Sequence, residues 1–269
     1  MLELLNDHDR GDLKERIANA IPFPFIMIDN FLQEDFANEI HDSFPSYEKV
    51  SKIGRSYKTV NESGKFEVTN PNEFSEPIKR LNTFLASKEF LDFHSEIMGI
   101  PNLLADDKLE GGGIHQTGPR GKLDVHIDFN YIEDRQLHRR TNILIYFNKD
   151  WEEGWGGNVE IWDKDVKKCH GSFSPIFNRA VMFATSNISF HGVTAVNCPE
   201  GISRKSFAGY YYTKVAPPYW TGEPHSTIFK ARPSEKLKGA VLMPAEKLIT
   251  AARKKLREVK SGLRKSKSR

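Results

Sequence analysis

Two textures of apolar and polar residues divide the chain. In the first hundred residues a short apolar segment, PFIMIDNFL (Pro24–Leu32), reads as a strand and is followed by runs of helical period. QEDFANEIHDSF sets Phe36, Ile40 and Phe44 on one side, EPIKRLNTFLAS does the same with Ile78, Leu81 and Leu85, and KEFLDFHSEIMG with Phe90, Phe93 and Ile97. Residues three and four apart are neighbours on a helix surface, so each run predicts an amphipathic helix. Gly99 and Pro101 close this region.

After Pro101 the pattern changes to short β-type segments: KLEGGGIHQ, KLDVHIDF, RRTNILIYFN, NVEIWD, AVMFAT, ISFHGVTAV and RKSFAGYYYT. Between them GPRG, EEGWGG, FSPIFNR and NCPEG supply turn chemistry. Closely spaced strands without intervening helices predict a β-sandwich or jelly roll. From Pro244 the helical period returns, with Leu248, Ile249, Ala252, Leu256 and Val259 in a stripe opposite lysines and arginines, and Gly262 placed to cap the end. The expected division is therefore 1–222, a β-rich domain with a helical N-terminal part, and 223–269, an extension with a basic amphipathic helix.

Composition narrows the class. At 269 residues, 38% hydrophobic and 28% charged, the chain fits a globular protein with a full core, and no apolar run reaches membrane-spanning length. Ten Lys or Arg against two Glu from Ala245 to Arg269 give a tail of +8, so the first 244 residues carry −5 of the total +3. An acidic body with a basic tail is not a nucleic-acid-binding domain built on a basic groove. The tail helix either docks by its apolar stripe, the favoured expectation, or lies on an anionic membrane surface or acidic partner. Two cysteines, Cys169 and Cys198, form neither a disulfide framework nor a thiolate zinc site, and MLELLNDHDRGDLK has acidic residues where a signal peptide needs a basic and then an apolar region; a cytoplasmic location is expected.

The candidate chemistry starts at DVHIDFNY (Asp124–Tyr131). On a strand, residues two apart face the same way, so His126 and Asp128 project together and Ile127 opposes them. Such a pair is either a polar pair on a solvated face or two of the three protein ligands of a 2-His-1-carboxylate site, which leaves open positions on octahedral Fe(II). His191 in ISFHGVTAV lies far enough downstream for a jelly roll to return it to the first pair; a buried histidine bonded to a carbonyl is the plainer alternative. Arg204 and Ser206 share a face of RKSFAGYYYT and can grip a carboxylate, unless the arginine sits at the solvent end of its strand. In TNILIYFN, Ile143, Ile145 and Phe147 form one apolar face, and Tyr146 shares the other with Asn142 and Leu144.

HxD, an interior tyrosine strand, a distal histidine and RxS, in that order, resemble the iron(II)/2-oxoglutarate-dependent oxygenases, most closely the prolyl-hydroxylase-like branch. IYFNKDWEEGWGGNVEIW and PFPFIMIDNFLQEDF resemble further segments of that branch, and the resemblance covers roughly Pro22 to Lys214. It implies a mainly β fold with flanking helices and a double-stranded β-helix (jelly roll, cupin-like) core. It also implies iron on His126, Asp128 and His191, with 2-oxoglutarate held by Arg204, Tyr146 and Ser206 and a further contact from Gln116. The implied reaction hydroxylates an unactivated C–H with O2, releasing succinate and CO2, with ascorbate as a reductant. Substrates of the branch include peptidyl proline, amino acids and sugar-type small molecules. The second arginine that nucleic-acid demethylases carry on this strand is missing, so no nucleic-acid substrate is expected. Phe129, Tyr131, Trp162 and Tyr210 are candidate pocket walls, and His115 is a candidate substrate contact. The rival readings are a zinc-dependent hydrolase on the same His-Asp-His set, which leaves Arg204, Ser206 and Tyr146 without a role, and a non-catalytic cupin-like binding protein, against which the retention of every ligand type argues.

Overall fold

The computed structural model describes residues 2–245. Its helices are α1 (Arg10–Ala18), α2 (Glu34–Ser43), α3 (Tyr47–Ile53), α4 (Glu76–Leu85) and α5 (Lys88–Met98). The first strands are β1 (Phe25–Ile28), β2 (Arg55–Ser56), β3 (Glu62–Val68), β4 (Leu104–Ala105), β5 (Gly113–Ile127), β6 (Tyr131–Ile132) and β7 (Leu137–Tyr146). They are followed by β8 (Val159–Trp162), β9 (Cys169–Phe173), β10 (Ala180–Ala184), β11 (His191–Val193), β12 (Arg204–Thr213) and β13 (Ile228–Phe229). The three amphipathic helices read from the sequence are α2, α4 and α5. The side chain of Ser87 caps the start of α5, and Gly99 takes the left-handed conformation (φ 64°) at its end.

All strand pairs are antiparallel, along the path β1-β10-β7-β12-β5-β11-β8-β9. The two ends of the path approach each other, with the rings of Phe25 on β1 and Phe173 on β9 5.9 Å apart. The result is a nearly closed, barrel-like jelly roll with helices on its outside. β5 is the hinge of this arrangement: its first half pairs with β12, its second half with β11 and β13, and β3 runs beside both halves. GPRG, a turn by composition, lies inside this one long strand. The register of β3 against β5 slips between Ser63 and Lys65, where Gly64 sits at φ 66° and a Cβ on it would lie 2.7 Å from the Cα of Gly121. Only glycine allows the backbones to meet there, and the strand kinks instead of ending.

Alternation assigns the central strands to two environments. Ile143 and Ile145 of β7, Ala180 and Met182 of β10, and Phe207 and Tyr211 of β12 face outward into the core shared with α1, α2, α4 and α5. Leu144, Tyr146, Val181 and Phe183 face into the barrel. Beyond residue 222 the chain adds β13 to the sheet and is helical over 236–245. The basic stripe from Leu248 to Val259 lies outside the described residues. Among the described residues no helix is long and apolar enough to cross a membrane.

The outer core holds one titratable ring. His94 of α5 is fully buried, stacked on Tyr211 at 4.6 Å with Nε2 2.8 Å from the Thr141 hydroxyl, and burial pushes its pKa down to about 3. Its folded pKa is below the ordinary 6.5, so the stability it contributes is complete above that pH and is lost as pH falls toward 3. Between pH 7 and pH 5 this amounts to about 2 kcal/mol. Urea unfolding should therefore show a His94→Leu variant losing about 2 kcal/mol less than the parent over that interval. Parallel pH dependences would contradict a neutral, buried ring.

Candidate metal centre

β11 returns to β5 in a register that sets His191 directly opposite His126. Asp128 follows two residues after His126, and one ligand atom from each of the three residues lies within 4.8 Å of the others. His126 Nε2 is 3.6 Å from Asp128 Oδ1, and His191 Nε2 is 3.6 Å from Asp128 Oδ2. Both rings are oriented in the same way. His126 Nδ1 is 2.8 Å from the carbonyl of Asp124, and His191 Nδ1 is 3.0 Å from that of Ser189. A carbonyl only accepts, so each Nδ1 carries the hydrogen and each Nε2 presents its lone pair to the shared centre. The rings are backed by Phe229 and Phe183, at 5.4 and 4.5 Å. Burial, then the neighbouring His126, lowers the pKa of His191 to about 4, which keeps it neutral as a ligand must be.

Asp128 is held as an anion. Burial alone would raise its pKa, but the Arg139 guanidinium, then His191 and His126, drive it well below the ordinary carboxylate value. Asn142 donates to Oδ2 at 2.8 Å, Arg139 Nη2 stands 3.2 Å from the same oxygen, and Arg139 Nε donates to Asn142 at 3.0 Å. The guanidinium is itself sandwiched by aromatic rings, 3.7 Å from the centre of Tyr210 and 4.7 Å from that of Phe129.

Deeper in the same cavity, of about 610 Å³, sits Arg204. It is 4% exposed, donates to the Gly157 carbonyl at 2.7 Å, to Ser206 Oγ at 3.3 Å and to Tyr146 Oη at 3.2 Å, and lies over the Tyr146 ring. Among the described residues no carboxylate lies within ion-pair distance of it. A buried guanidinium with only neutral partners is costly, and the cost is relieved by an anion entering from the cavity. The residues thus fit both groups in question. Two imidazoles that turn Nε2 to one centre and a carboxylate suit a hexacoordinate divalent metal with free positions, and Arg204 with Tyr146 and Ser206 suits a carboxylate.

Three expected contacts lie elsewhere, and two residues join the site unannounced. Gln116 does not face the cavity: along β5 it points with Ile114 toward the helices, where its amide donates to the Pro45 carbonyl at 2.6 Å, while the alternate residues His115 and Thr117 line the cavity. Trp162 packs on the far side of the sheet with Val125 and Ile127, and Tyr131 packs against His138 and Trp220; Phe129 and Tyr210 do line the cavity. Arg139 escaped the sequence because a bulge in β7 against β12 skips Arg140, which turns Arg139 onto the face of Asn142 instead of that of Thr141 and Ile143. Lys65 also lines the cavity, held between Glu67 at 2.6 Å and Glu62 at 3.3 Å.

Residues 112–212 match the model of the 2OG-Fe(II) oxygenase superfamily. Over these residues the chain is similar to that superfamily, and its curated relatives and structural neighbours include prolyl hydroxylases. It is 31% identical over 198 residues to the mouse prolyl 3-hydroxylase OGFOD1, a match covering 71% of this chain and 33% of the relative. To the Xenopus laevis protein of the same name it is 24% identical over 207 residues, covering 75% and 37%. The chain thus spans about a third of the length of the curated relatives it matches. A prolyl hydroxylase from Trichoplax adhaerens, solved with a hypoxia inducible factor peptide fragment, has the same fold at TM-score 0.54 and 18% identity, over 76% of this chain and 90% of that one. A Pseudomonas putida prolyl-4-hydroxylase does so at 0.53 and 13%, over 74% and 98%. The carbocyclase SnoK from nogalamycin biosynthesis gives 0.53 and 12%, over 77% and 87%, so the fold is not tied to proline chemistry.

The Arg139–Asp128 contact has a direct test. Arg139→Leu leaves a buried carboxylate without its cation and should destabilise the metal-free protein by about 3–5 kcal/mol in urea unfolding. Adding Asp128→Leu should restore a substantial part of the loss. Additive losses would show that the pair is not energetically coupled.

Proposed function

We propose that this chain is a non-haem Fe(II)/2-oxoglutarate-dependent dioxygenase that hydroxylates an unactivated C–H, with a peptidyl proline as the first candidate substrate. The observation that carries the reading is Arg204. Among the described residues it is a buried guanidinium without a carboxylate partner, in the same cavity as His126, His191 and the anionic Asp128. When bound, iron and 2-oxoglutarate supply the activation of O2, with succinate and CO2 as co-products.

The residues of the chain do the rest. His126, Asp128 and His191 hold the metal, and their Nδ1–carbonyl and Asn142–carboxylate bonds fix the direction of each donor atom. Arg204, supported by Tyr146 and Ser206, anchors the distal carboxylate of 2-oxoglutarate. Phe129, Tyr210 and Leu144 wall the space beside the metal and limit water there. The likeness to relatives named as prolyl 3-hydroxylases supports peptidyl proline as the first substrate to try, with amino acids and sugar-type molecules after it. A zinc hydrolase would have no use for Arg204. Both cysteines are free, as suits a reducing, cytoplasmic setting.

Succinate should form from 2-oxoglutarate in the presence of Fe(II) and ascorbate, and a compound from a panel of proline peptides, amino acids and sugar nucleotides should stimulate it. His126→Ala should abolish turnover. Arg204→Leu should keep metal binding while weakening 2-oxoglutarate roughly 100-fold, the scale of a lost charge-assisted, bidentate contact. No 2-oxoglutarate binding by the parent protein, or equal binding by Arg204→Leu, would overturn the reading.

A further inference from the structure

The segment that follows the barrel returns to the strands that carry the metal-site residues. His225 N–H donates to Asn130 Oδ1 at 2.8 Å, and β13 then pairs with the end of β5, Phe229 opposite His126. The Phe229 ring lies 5.4 Å from the His126 ring, on which the His191 ring also lies, at 4.3 Å. Lys230 N–H donates to the Val125 carbonyl at 2.8 Å. Arg232 donates to Glu160 at 2.8 Å and to the Val193 carbonyl at 3.2 Å, which spans β8 and β11 on either side of Gly192. Lys238 reaches Asp124 at 2.6 Å.

Asp124 is the point of convergence. Its side chain is fully buried, and Arg232 and Lys122 add weaker attraction at 3.6 and 3.8 Å. The backbone carbonyl of this same residue accepts the hydrogen of His126 Nδ1. A buried carboxylate needs its cation, so Lys238 fixes Asp124, and Asp124 fixes the tautomer and direction of the histidine.

We propose that residues 225–243 are a positioning strap for the metal centre, in which Lys238 acts through Asp124 and Phe229 acts directly on the His126 ring. The proposal rests on His126, Asp128 and His191 being metal ligands. The strap is thus part of the site's supporting structure, although the sequence places it in a separate extension.

The test uses the full chain with Co(II), followed by its visible absorption under anaerobic conditions, with circular dichroism to confirm folding. Lys238→Met and Phe229→Ala should each weaken Co(II) about 10-fold, the usual scale for the loss of a partner that orients a ligand. Lys238→Arg, which keeps the cation, should bind close to the parent. Folded Lys238→Met and Phe229→Ala proteins that bind Co(II) like the parent would overturn the strap while leaving the metal centre intact. A parent that binds no Co(II), or a His126→Ala variant that binds as well as the parent, would overturn the metal centre and the strap with it. If Lys238→Met does not fold, Phe229→Ala decides, since it removes one ring contact and no buried charge.

Discussion

The central strands must bury both of their faces, each against something different. Outward, β7, β10 and β12 meet the helices and need a continuous apolar surface; inward, the same strands border a cavity that holds ionisable groups. The period of two in a β-strand allows one segment to meet both demands, as NILIY does with Ile143 and Ile145 outward and Asn142, Leu144 and Tyr146 inward. The helical layer makes the inward face possible, because it supplies the burial that the polar side does not. Arg204, Ser206 and Tyr146 can stay dry and charged or polar only on a sheet whose other face is stabilised in this way.

The inward groups are arranged by opposition. Asp128 has a cation, Arg139, and two imidazoles near it, and is pinned as an anion; among the described residues Arg204 has neutral partners only. The first set is built to take a cation, and the second to take an anion. A divalent metal and a dicarboxylate satisfy both at once. This electrostatic asymmetry is the physical content behind the likeness to the 2OG-Fe(II) oxygenase superfamily, and similarity in sequence alone would not explain it.

Much of this was legible in the order of residues. His126, Asp128, His191, Arg204, Ser206 and Tyr146 lie on strands with clear alternation; His126, Asp128, His191 and Arg204 line one cavity, and Ser206 and Tyr146 touch Arg204 from behind. What was hidden depends on irregular backbone. Gln116, implied by the resemblance, points toward the helices, and GGGIHQTGPRG offers no alternation from which that direction could be read. Arg139 was hidden by the bulge at Arg140. Lys65 and Glu67 belong to a strand, ESGKFEV, whose own pattern is weak and whose form is set by pairing with β5. The approach of Phe229 and Lys238 to His126 and Asp124 spans about a hundred residues, a distance over which no local pattern reports.

The central claim is that Arg204 waits for a carboxylate that also reaches the metal held by His126, Asp128 and His191. A crystal structure of the full chain, grown anaerobically with Fe(II) and 2-oxoglutarate, tests it most directly. The account predicts metal density within coordination distance of the three side chains and one carboxylate of 2-oxoglutarate on Arg204 and Tyr146. Metal density elsewhere, or a 2-oxoglutarate molecule that leaves Arg204 without an anion, would contradict it.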